Sequence, residues 1–384
     1  MGGILVIVFL FWQVERAYTA LLGSEKPIDA VLKEVESRRT MLFGNEEMIE
    51  EQQDVIHVLL LGLDARKGWD SPHCDAIHMF TLHTRDWTID ITSVPRGTYA
   101  PLPPGHQYEP TDYYISNACG FGGLEYGIDQ IEKIIGVKAD YYVTVGFSQV
   151  YGILRTFELP TTQSLQWLRH RQSYAIGDPQ RSHNQAIFMK DLVLQQGYRL
   201  EQPTATTLMF ILYNMLDTNM DFGTARALLK GYLASDIVHR PEDIRLSMKP
   251  FFPVEDYHFD FENPDPQIEA LLARIRPYLS KEDLSDRELE DYQKEILAFL
   301  EEELESKEGI EGIMNKELWL QIEDNELRKQ YHFRYLEAYV VELIAQDERG
   351  RARDEISDVI LEYTALEDDV MVARTQELLR RVLQ

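Results

Sequence analysis

Arginines and carboxylates recur in this sequence beside the ends of predicted β-strands, where side chains can converge on a ligand. These residues are Asp64, Arg66, Asp75, Arg96, Arg169, Arg171, Asp178 and Arg181, followed by Gln185. Taken one at a time, each is most often a member of a surface ion pair. As a group they have a further use, because a guanidinium binds two phosphate oxygens at once and paired carboxylates can hold Mg²⁺ against a diphosphate. The residue types therefore predict a phosphorylated substrate.

An α/β fold is the scaffold that the sequence predicts for these side chains. Residues 55–61 form a continuous apolar run rich in β-formers, typical of a strand buried on both faces of a sheet. The turn at 62–66 follows its carboxyl end, where ligands commonly bind in α/β proteins. The further predicted strands are 76–82, 87–94 and 141–145. The predicted helices between and after them are 124–135, 147–156, 162–169, 184–196, 204–216 and 224–233.

The negative charge of the chain is concentrated in its last third. The 384 residues include 38 Lys and Arg against 65 Asp and Glu, a net charge of −27, which disfavours nonspecific binding to duplex nucleic acid. Residues 254–384 account for −19 of this charge. Apolar residues recur there at helical spacing, predicting helices at 267–278, 286–305, 316–346 and 353–383. We expect an acidic helical module at 254–384, serving either as a solvated appendage or as a spacer or protein-binding element.

The first residues of the chain have the character of a membrane segment. Ile4 to Phe11 is an unbroken apolar run, about half the length that a full membrane span needs. A signal-peptide core and a buried helix of a globular fold are the alternatives. We expect residues 1–23 to anchor the chain in the membrane and residues 24–54 to form a polar, helical stalk.

Two smaller groups of residues have less definite roles. Cys74 and Cys119 cannot build a disulfide scaffold or a zinc site of their own, and we expect both to be small buried apolar side chains. The tyrosines Tyr113, Tyr114, Tyr141 and Tyr142 are expected to be strand and core aromatics rather than a platform for sugars.

Six short motifs, taken in order, give the sequence a resemblance to a known family. They are LLLGLDAR at 59–66, CDA at 74–76, SVPRGTY at 93–99, SNA at 116–118 with GG at 122–123, LQWLRHR at 165–171 and GDPQRSHNQ at 177–185. This order resembles the LytR-CpsA-Psr family, whose usual forms are GxDxR, RSDT, PRDTY, KINxAY with GG, an RxR pair and GDxxRxxRQ. A later LDTN at 216–219 is similar to the family's late TN segment. The resemblance covers roughly residues 55–253.

The resemblance implies an α/β fold with a central mixed sheet flanked by helices, a membrane anchor and an extracytoplasmic catalytic domain at 55–253. It also implies transfer of a glycopolymer phosphate from a polyprenyl diphosphate carrier to a cell-wall hydroxyl, usually on peptidoglycan. By position in the motifs, Asp64 and Asp75 correspond to the metal-associated aspartates, and Mg²⁺ is the implied ion. The residues implied to bind the substrate diphosphate and its surroundings are Arg66, Asn117, Arg169, Arg171, Arg181 and Gln185. Arg96 and Asp75 are implied to be catalytic.

Several positions depart from the family pattern. His73, Ala76, Gly97, Ile115 and Asn184 replace an arginine, a threonine, an aspartate, a lysine and an arginine of the usual motifs. The interval between Leu154 and Leu165 is also shorter than the family's, which removes part of the expected wall around the lipid tail. These departures keep two rivals open beside the transferase: a degenerate protein that binds or hydrolyses polyprenyl diphosphate, and a non-enzymatic envelope scaffold that acts through its acidic helices.

Overall fold

The computed structural model describes residues 26–43, 54–64, 72–105, 108–171, 174, 176–201, 205–275, 289–307, 309–366 and 368–383. Within these ranges no helix is both long and apolar enough to cross a membrane. The expected membrane anchor at 1–23 lies outside the described residues.

A mixed β-sheet with helices on both faces forms the centre of the fold. In the described residues its strands are β1 (Val55–Asp64), β2 (His73–His83), β3 (Thr88–Ser93), β4 (Tyr141–Gly146), β5 (Asp217–Thr218) and β6 (Ile244–Met248). Their spatial order is β5-β4-β1-β2-β3-β6. The β1–β2, β2–β3 and β4–β5 pairs are antiparallel, whereas β3 and β6 are parallel. Strand order was not predictable from periodicity, because β6 joins β3 from a distant part of the chain.

The helices along the first two thirds of the chain pack on this sheet or follow it. They are α1 (Ile28–Phe43), α2 (Ile115–Ile135), α3 (Phe147–Thr156), α4 (Thr161–Arg169), α5 (Asp178–Gln196), α6 (Ala205–Asn214) and α7 (Phe222–Ala234). The predicted helix at 124–135 is the second half of α2, which begins nine residues earlier and bends at Gly123, where φ is 81°. A glycine tolerates this conformation because it has no Cβ. The helix predicted to begin at residue 124 therefore corresponds to the part of α2 after the bend.

Alternation along β1 divides its apolar side chains between two layers of the core. Leu59 and Leu61 are buried against residues of α2 on one face. Ile56 and Val58 lie on the other face with residues of α1 and α7. Successive side chains of a strand point to opposite faces, so a continuous apolar run is what a strand covered on both sides requires.

Part of the segment expected to form a stalk is an integral helix of this core. Val31 and Val35 of α1 are almost completely buried. Arg39 of the same helix forms an ion pair with Asp140 and donates to the carbonyl oxygen of Val55 at 2.9 Å. Asp140 also accepts from the backbone N–H of His57 at 2.8 Å. A buried charge network of this kind fixes α1 against the entry to β1.

The acidic C-terminal third is helical, as its periodicity predicts, but two of the long predicted helices are divided. The described helices are α8 (Pro264–Ile275), α9 (Leu289–Ser306), α10 (Ile310–Lys316), α11 (Asn325–Ala345), α12 (Arg349–Ala365) and α13 (Asp369–Leu383). The helix predicted at 316–346 is interrupted where Glu317 adopts a left-handed conformation and Asp324 caps α11. Asp368, which accepts from the N–H of Met371 at 3.1 Å, begins the helix after the second break. Side-chain caps of this type favour the start of a new helix over the continuation of the previous one. The apolar spacing runs on across both breaks, so the sequence predicted continuous helices.

The chain divides into two compact units, each described here by itself. Unit 1 comprises Met1–Thr144 with Ser182–Asp256, and unit 2 comprises Val145–Arg181 with Tyr257–Gln384. The expected start of the acidic module at residue 254 lies close to the break after Asp256. Unit 2 nevertheless takes in α3 and α4, which the sequence analysis grouped with the sheet.

Candidate active site

A β-bulge sets the position of Asp75. The β1–β2 register pairs Gly62 with Ala76 and then Leu63 with Cys74, so Asp75 is the extra residue of β2. Bulges re-aim a side chain and are common beside active sites. The strands approach closely here, since a Cβ on Gly62 would lie 2.8 Å from the Cβ of Ala76. A residue with a Cβ would not fit at this position of the paired strands, so a glycine is needed there.

Asp75 forms an ion pair with Arg96. The Nη1 of Arg96 lies 2.6 Å from Oδ1 of Asp75, and both side chains are partly exposed. Arg96 occupies the turn after β3, closed by a hydrogen bond from the N–H of Thr98 to the carbonyl oxygen of Pro95. The N–H of Ser116, in the first turn of α2, donates to the carbonyl oxygen of Arg96 at 3.2 Å. The backbone of Arg96 is thus held by the turn and by the start of α2, and its guanidinium is paired with Asp75.

His73 and Asn117 complete this group of side chains. The Nδ2 of Asn117 donates to the carbonyl oxygen of Asp112 at 2.8 Å, and the Asn117 side chain also bonds to His73. Burial lowers the pKa of His73, and the charges of Asp75 and Asp64 partly oppose this effect. We call Asp64, His73, Asp75, Arg96 and Asn117 the Asp75 cluster. Asp64 is the last residue of β1 and is only 6% exposed.

A disulfide bond joins the two elements that carry the cluster. Cys74 and Cys119 are bonded at 2.04 Å with their Cα atoms 5.9 Å apart, and both are completely buried. The expectation of two separate apolar side chains is therefore wrong, although burial itself was expected. Cys74 precedes Asp75 and Cys119 follows Asn117 by two residues, so the bond ties the bulge of β2 to the first turns of α2. Gly127 makes room for it, since a Cβ there would meet the Cys119 sulfur at 2.3 Å.

Three of the predicted arginines belong to unit 2. Arg169 ends α4 and stacks over the ring of Phe147, 4.6 Å from its centroid. Arg171 and Arg181 both contact Asp178, at 3.4 and 3.2 Å. Asp178 therefore brings together two guanidinium groups that come from different motifs of the sequence. Arg66, the remaining predicted arginine, lies outside the described residues.

Gln185 takes part in an interior network of unit 1. Its Oε1 lies 3.3 Å from Nε2 of His78, and Nδ1 of His78 lies 3.0 Å from the Ser93 hydroxyl. All three side chains are buried. The network attaches α5 to β2 and β3, so this contact of Gln185 supports the sheet beneath the Asp75 cluster.

The protein donors available for a metal are two carboxylates. No group of three or more His, Cys, Asp or Glu side chains suited to a metal occurs among the described residues. Mg²⁺ commonly uses one or two carboxylates and takes its other ligands from water and substrate phosphates. Asp64 and Asp75 would supply the two carboxylate ligands of such a site. The Asp75 carboxylate would then contact both the ion and Arg96.

Comparison with known proteins assigns the part of the chain that contains the Asp75 cluster. The LytR_cpsA_psr family model matches residues 19–153. This part of the chain is similar to the LytR-CpsA-Psr family. The LytR-CpsA-Psr match includes Asp64, Asp75, Arg96 and Asn117, and the arginines Arg169, Arg171 and Arg181 follow it in the chain.

The curated relatives are proteins named polyisoprenyl-teichoic acid–peptidoglycan teichoic acid transferase TagU. The one from Bacillus cereus is 24% identical over 174 residues, 44% of this chain and 55% of its own length. The one from Halalkalibacterium halodurans is 29% identical over 105 residues, 27% of this chain and 33% of its own length. The chain thus spans about half the length of the first relative that it matches. The crystal structure of Bacillus subtilis TagV aligns at 18% identity with a TM-score of 0.43, covering 58% of this chain and 98% of that one.

The sequence analysis found four members of the Asp75 cluster and overlooked the fifth. His73 was noted as the replacement of a family arginine and not as a neighbour of Asp75. Its position two residues before Asp75 was the available signal, since alternate residues of a strand share a face. The bulge after Cys74, which alters that alternation, was not visible in the sequence.

Proposed function

We propose that the protein transfers a glycopolymer phosphate from a polyprenyl diphosphate carrier to a hydroxyl of the cell wall, with peptidoglycan as the acceptor. The observation that carries the proposal is the Asp75–Arg96 pair on the bulge of β2, with Asp64 and Asn117 beside it. The similarity of residues 19–153 to the family and the names of the teichoic acid transferases that resemble the protein agree with this chemistry.

The reaction needs a phosphorus centre held in line between two oxygens. A bond forms from the acceptor hydroxyl oxygen to the sugar-linked phosphorus, and the bond from that phosphorus to the polyprenyl phosphate oxygen breaks. Arg96 is the residue of unit 1 that we propose binds oxygens of the diphosphate. Asp75 is the proposed acceptor of the hydroxyl proton. A carboxylate is a weak base, so positioning and electrostatic stabilisation supply most of the rate.

Asp64 and Asp75 are the residues that would hold Mg²⁺. A bound Mg²⁺ would neutralise charge on the diphosphate. Asn117, held by the Asp112 carbonyl oxygen, keeps its side chain at the edge of this site. The charge-assisted contact of Arg96 restrains the orientation of Asp75.

The proposed location is the outer face of the cytoplasmic membrane, with the apolar run at 4–11 as the anchor. The Cys74–Cys119 bond supports this location, because disulfides persist in oxidising compartments and are rare in a reducing cytosol. Protease treatment of intact cells tests it. Cleavage within residues 55–384 is expected, and complete protection of that region would contradict the proposal.

A reconstituted assay tests the function. The protein lacking residues 1–25 is incubated with a polyprenyl diphosphate-linked glycan and Mg²⁺, with and without peptidoglycan. We expect product only when peptidoglycan is present and loss of product when EDTA is added. Phosphate release without acceptor would instead indicate a hydrolase, and no binding of the diphosphate would indicate the scaffold role.

A further inference from the structure

An unbroken row of aromatic rings leads from the Asp75 cluster across the surface of unit 1. The rings of His73 and Phe121 lie 6.1 Å apart, and those of Phe121 and Tyr108 lie 5.5 Å apart. Tyr113 follows at 6.1 Å from Tyr108, and Tyr99 stacks on Tyr113 at 6.0 Å. We call these five side chains the aromatic row.

Two members of the row are strongly exposed. Phe121 is 51% exposed and Tyr99 is 70% exposed, whereas Tyr108 and Tyr113 are partly covered by their neighbours. Large apolar side chains grouped on a surface are uncommon and mark a binding site more often than a single exposed residue does. The expectation that Tyr113 is a core aromatic is therefore only half met, since it supports an exposed ring.

The backbone beneath the row holds its rings in place. The N–H of Ala100 donates to the carbonyl oxygen of Tyr113 at 3.2 Å, and the N–H of Ile115 donates to that of Thr98 at 2.8 Å. Tyr99 and Tyr114 form an isolated antiparallel bridge. Rings with few rotatable bonds on a fixed backbone bind a ligand with little loss of conformational entropy.

We propose that the aromatic row binds the acceptor glycan, a chain of neutral pyranose rings, and directs its hydroxyl to the Asp75 cluster. This inference rests on the proposed transferase function, whose acceptor it places. Pyranoses present C–H groups on their faces that pack against aromatic rings, and the steps along the row are close to the spacing of successive sugars. The hydroxyl groups of the three tyrosines can meet sugar hydroxyls at the rim.

Charge distinguishes this occupant from the other substrate. Glu109 and Asp112 lie in the turn between Tyr108 and Tyr113, and Glu109 is exposed. Carboxylates along the row disfavour a polyanionic glycopolymer but leave a neutral glycan strand unaffected. A polyprenyl tail is also disfavoured, because the exposed tyrosines would leave much of an isoprenoid chain in contact with water.

Binding of chitotetraose, a neutral oligosaccharide of β-1,4-linked N-acetylglucosamine, tests the row without turnover. In an NMR titration, Tyr99→Ala and Phe121→Ala are expected to weaken its affinity about tenfold each, on the scale of a lost aromatic stacking contact. Tyr99→Phe and Phe121→Tyr keep the rings and should bind within about twofold of the parent. The exposed aromatics Tyr198 and Phe251 lie outside the row, and Tyr198→Ala and Phe251→Ala are the matched controls.

Farnesyl diphosphate, titrated in parallel, separates the glycan from the lipid carrier. Its affinity should be the same in the parent and in both alanine variants. Three results would overturn the inference: no binding of chitotetraose by the parent, equal binding by parent and alanine variants, or loss of farnesyl diphosphate binding in those variants. If the parent transfers no glycopolymer yet its binding of chitotetraose depends on the row, the proposed function fails and the glycan site stands.

Discussion

At the scale of single residues, Arg96 is the arginine that forms an ion pair with Asp75. The usual family motif places another arginine where His73 stands. Burial lowers the pKa of His73, which disfavours the charged form of this side chain. Among the five residues of the Asp75 cluster, all of them described, Arg96 is the one arginine. We therefore expect the Asp75 cluster to depend on Arg96 for diphosphate binding, and the Asp75–Arg96 ion pair restrains both side chains.

We expect Arg96→Ala to reduce kcat/KM at least about 30-fold, since it removes a charge-assisted contact worth about 2 kcal/mol. Arg96→Lys should recover only part of the activity, because an ammonium cannot form the forked contact. Steady-state kinetics of the transfer assay measure both.

The matched control for this change is Arg85→Ala. Arg85 forms an ion pair of the same 2.6 Å length with Asp54, but its side chain is 81% exposed. We expect its removal to leave kcat/KM and the melting temperature unchanged, as is usual for a surface ion pair. If Arg96→Ala has normal kinetics and only a lower melting temperature, the Asp75–Arg96 pair is structural.

At the scale of elements, the disulfide fixes the relation between β2 and α2. Removing it with Cys74→Ala and Cys119→Ala together should lower the free energy of unfolding by about 3–4 kcal/mol, as expected for a loop closed over a sequence separation of 45 residues. Activity should fall as well, because Asp75 and Asn117 are adjacent to its two ends. Denaturant unfolding of parent and double variant measures the first effect. An unchanged unfolding midpoint in the oxidised parent and the variant would contradict the prediction.

Two carboxylates in unit 2 make its stability depend on pH. Burial raises the pKa of Glu317 to about 7 and that of Glu362 to about 8, with the charge of Glu317 adding to the second shift. Their usual value is near 4.5, so the folded state binds more protons than the unfolded state between about pH 4.5 and 8. Their contribution to stability is thus fully present below that window and is lost as pH rises through it.

Glu362→Gln tests this dependence, because the amide resembles the protonated acid. We expect parent and variant to have similar melting temperatures at pH 5 and the variant to be more stable by pH 8.5. Burial also lowers the pKa of His332 to about 4, so protonation of this side chain destabilises the fold at acidic pH. This effect is the same in parent and variant, so it cancels when their melting temperatures are subtracted. A difference that does not change with pH would show that Glu362 titrates normally.

At the scale of the whole molecule, the acidic C-terminal region contacts helices that carry predicted site residues. Glu323 accepts hydrogen bonds from the hydroxyls of Thr161 and Thr162 at 2.8 and 2.9 Å. It also pairs with Arg155, which is largely buried and donates to the carbonyl oxygen of Ile322 at 3.0 Å. These contacts join α3 and α4 to the segment between α10 and α11. Arg169 ends α4 and Arg171 follows two residues later, so the acidic region supports the helix that leads to both.

Truncation after Asp256 is therefore expected to unfold residues 145–181 rather than to release a stable domain. Those residues would lose Glu323 and the ring of Phe259, which packs on Trp167 at 5.7 Å. Limited proteolysis and hydrogen exchange of the truncated chain would show this as loss of protection in α3 and α4. Normal protection there would mean that the acidic module is dispensable for the fold.

A point variant gives the same test without truncation. Glu323→Gln should cost about 1–3 kcal/mol, because it leaves the guanidinium of Arg155 without its charged partner in a largely buried place. Glu326→Gln is the control, since that carboxylate is 76% exposed. Equal unfolding midpoints for the two variants would show that the Glu323 contacts contribute little.

The sequence by itself determined the elements and the set of candidate residues. Apolar periodicity located β1 to β4 and most helices, because period 2 and period 3.6 are local consequences of burying one face or both. The motif order identified Asp64, Asp75, Arg96 and Asn117 as candidates, and the first three adjoin predicted strand ends. The tertiary structure decided how they are arranged. The bulge at Asp75, the Cys74–Cys119 bond and the packing of α1 depend on contacts between residues far apart in the chain.

The same reason explains the division into two units and the exposure of the aromatic row. Tyr99 and Phe121 are residue types that are common in protein cores. Their exposure at the surface is visible only in the folded structure. Helices α3 and α4 follow the sheet in sequence but pack with C-terminal helices more than a hundred residues later. Local pattern fixes which face of an element is apolar. Which element covers that face depends on how all the apolar faces of the chain can be buried together, and this is decided only in the folded structure.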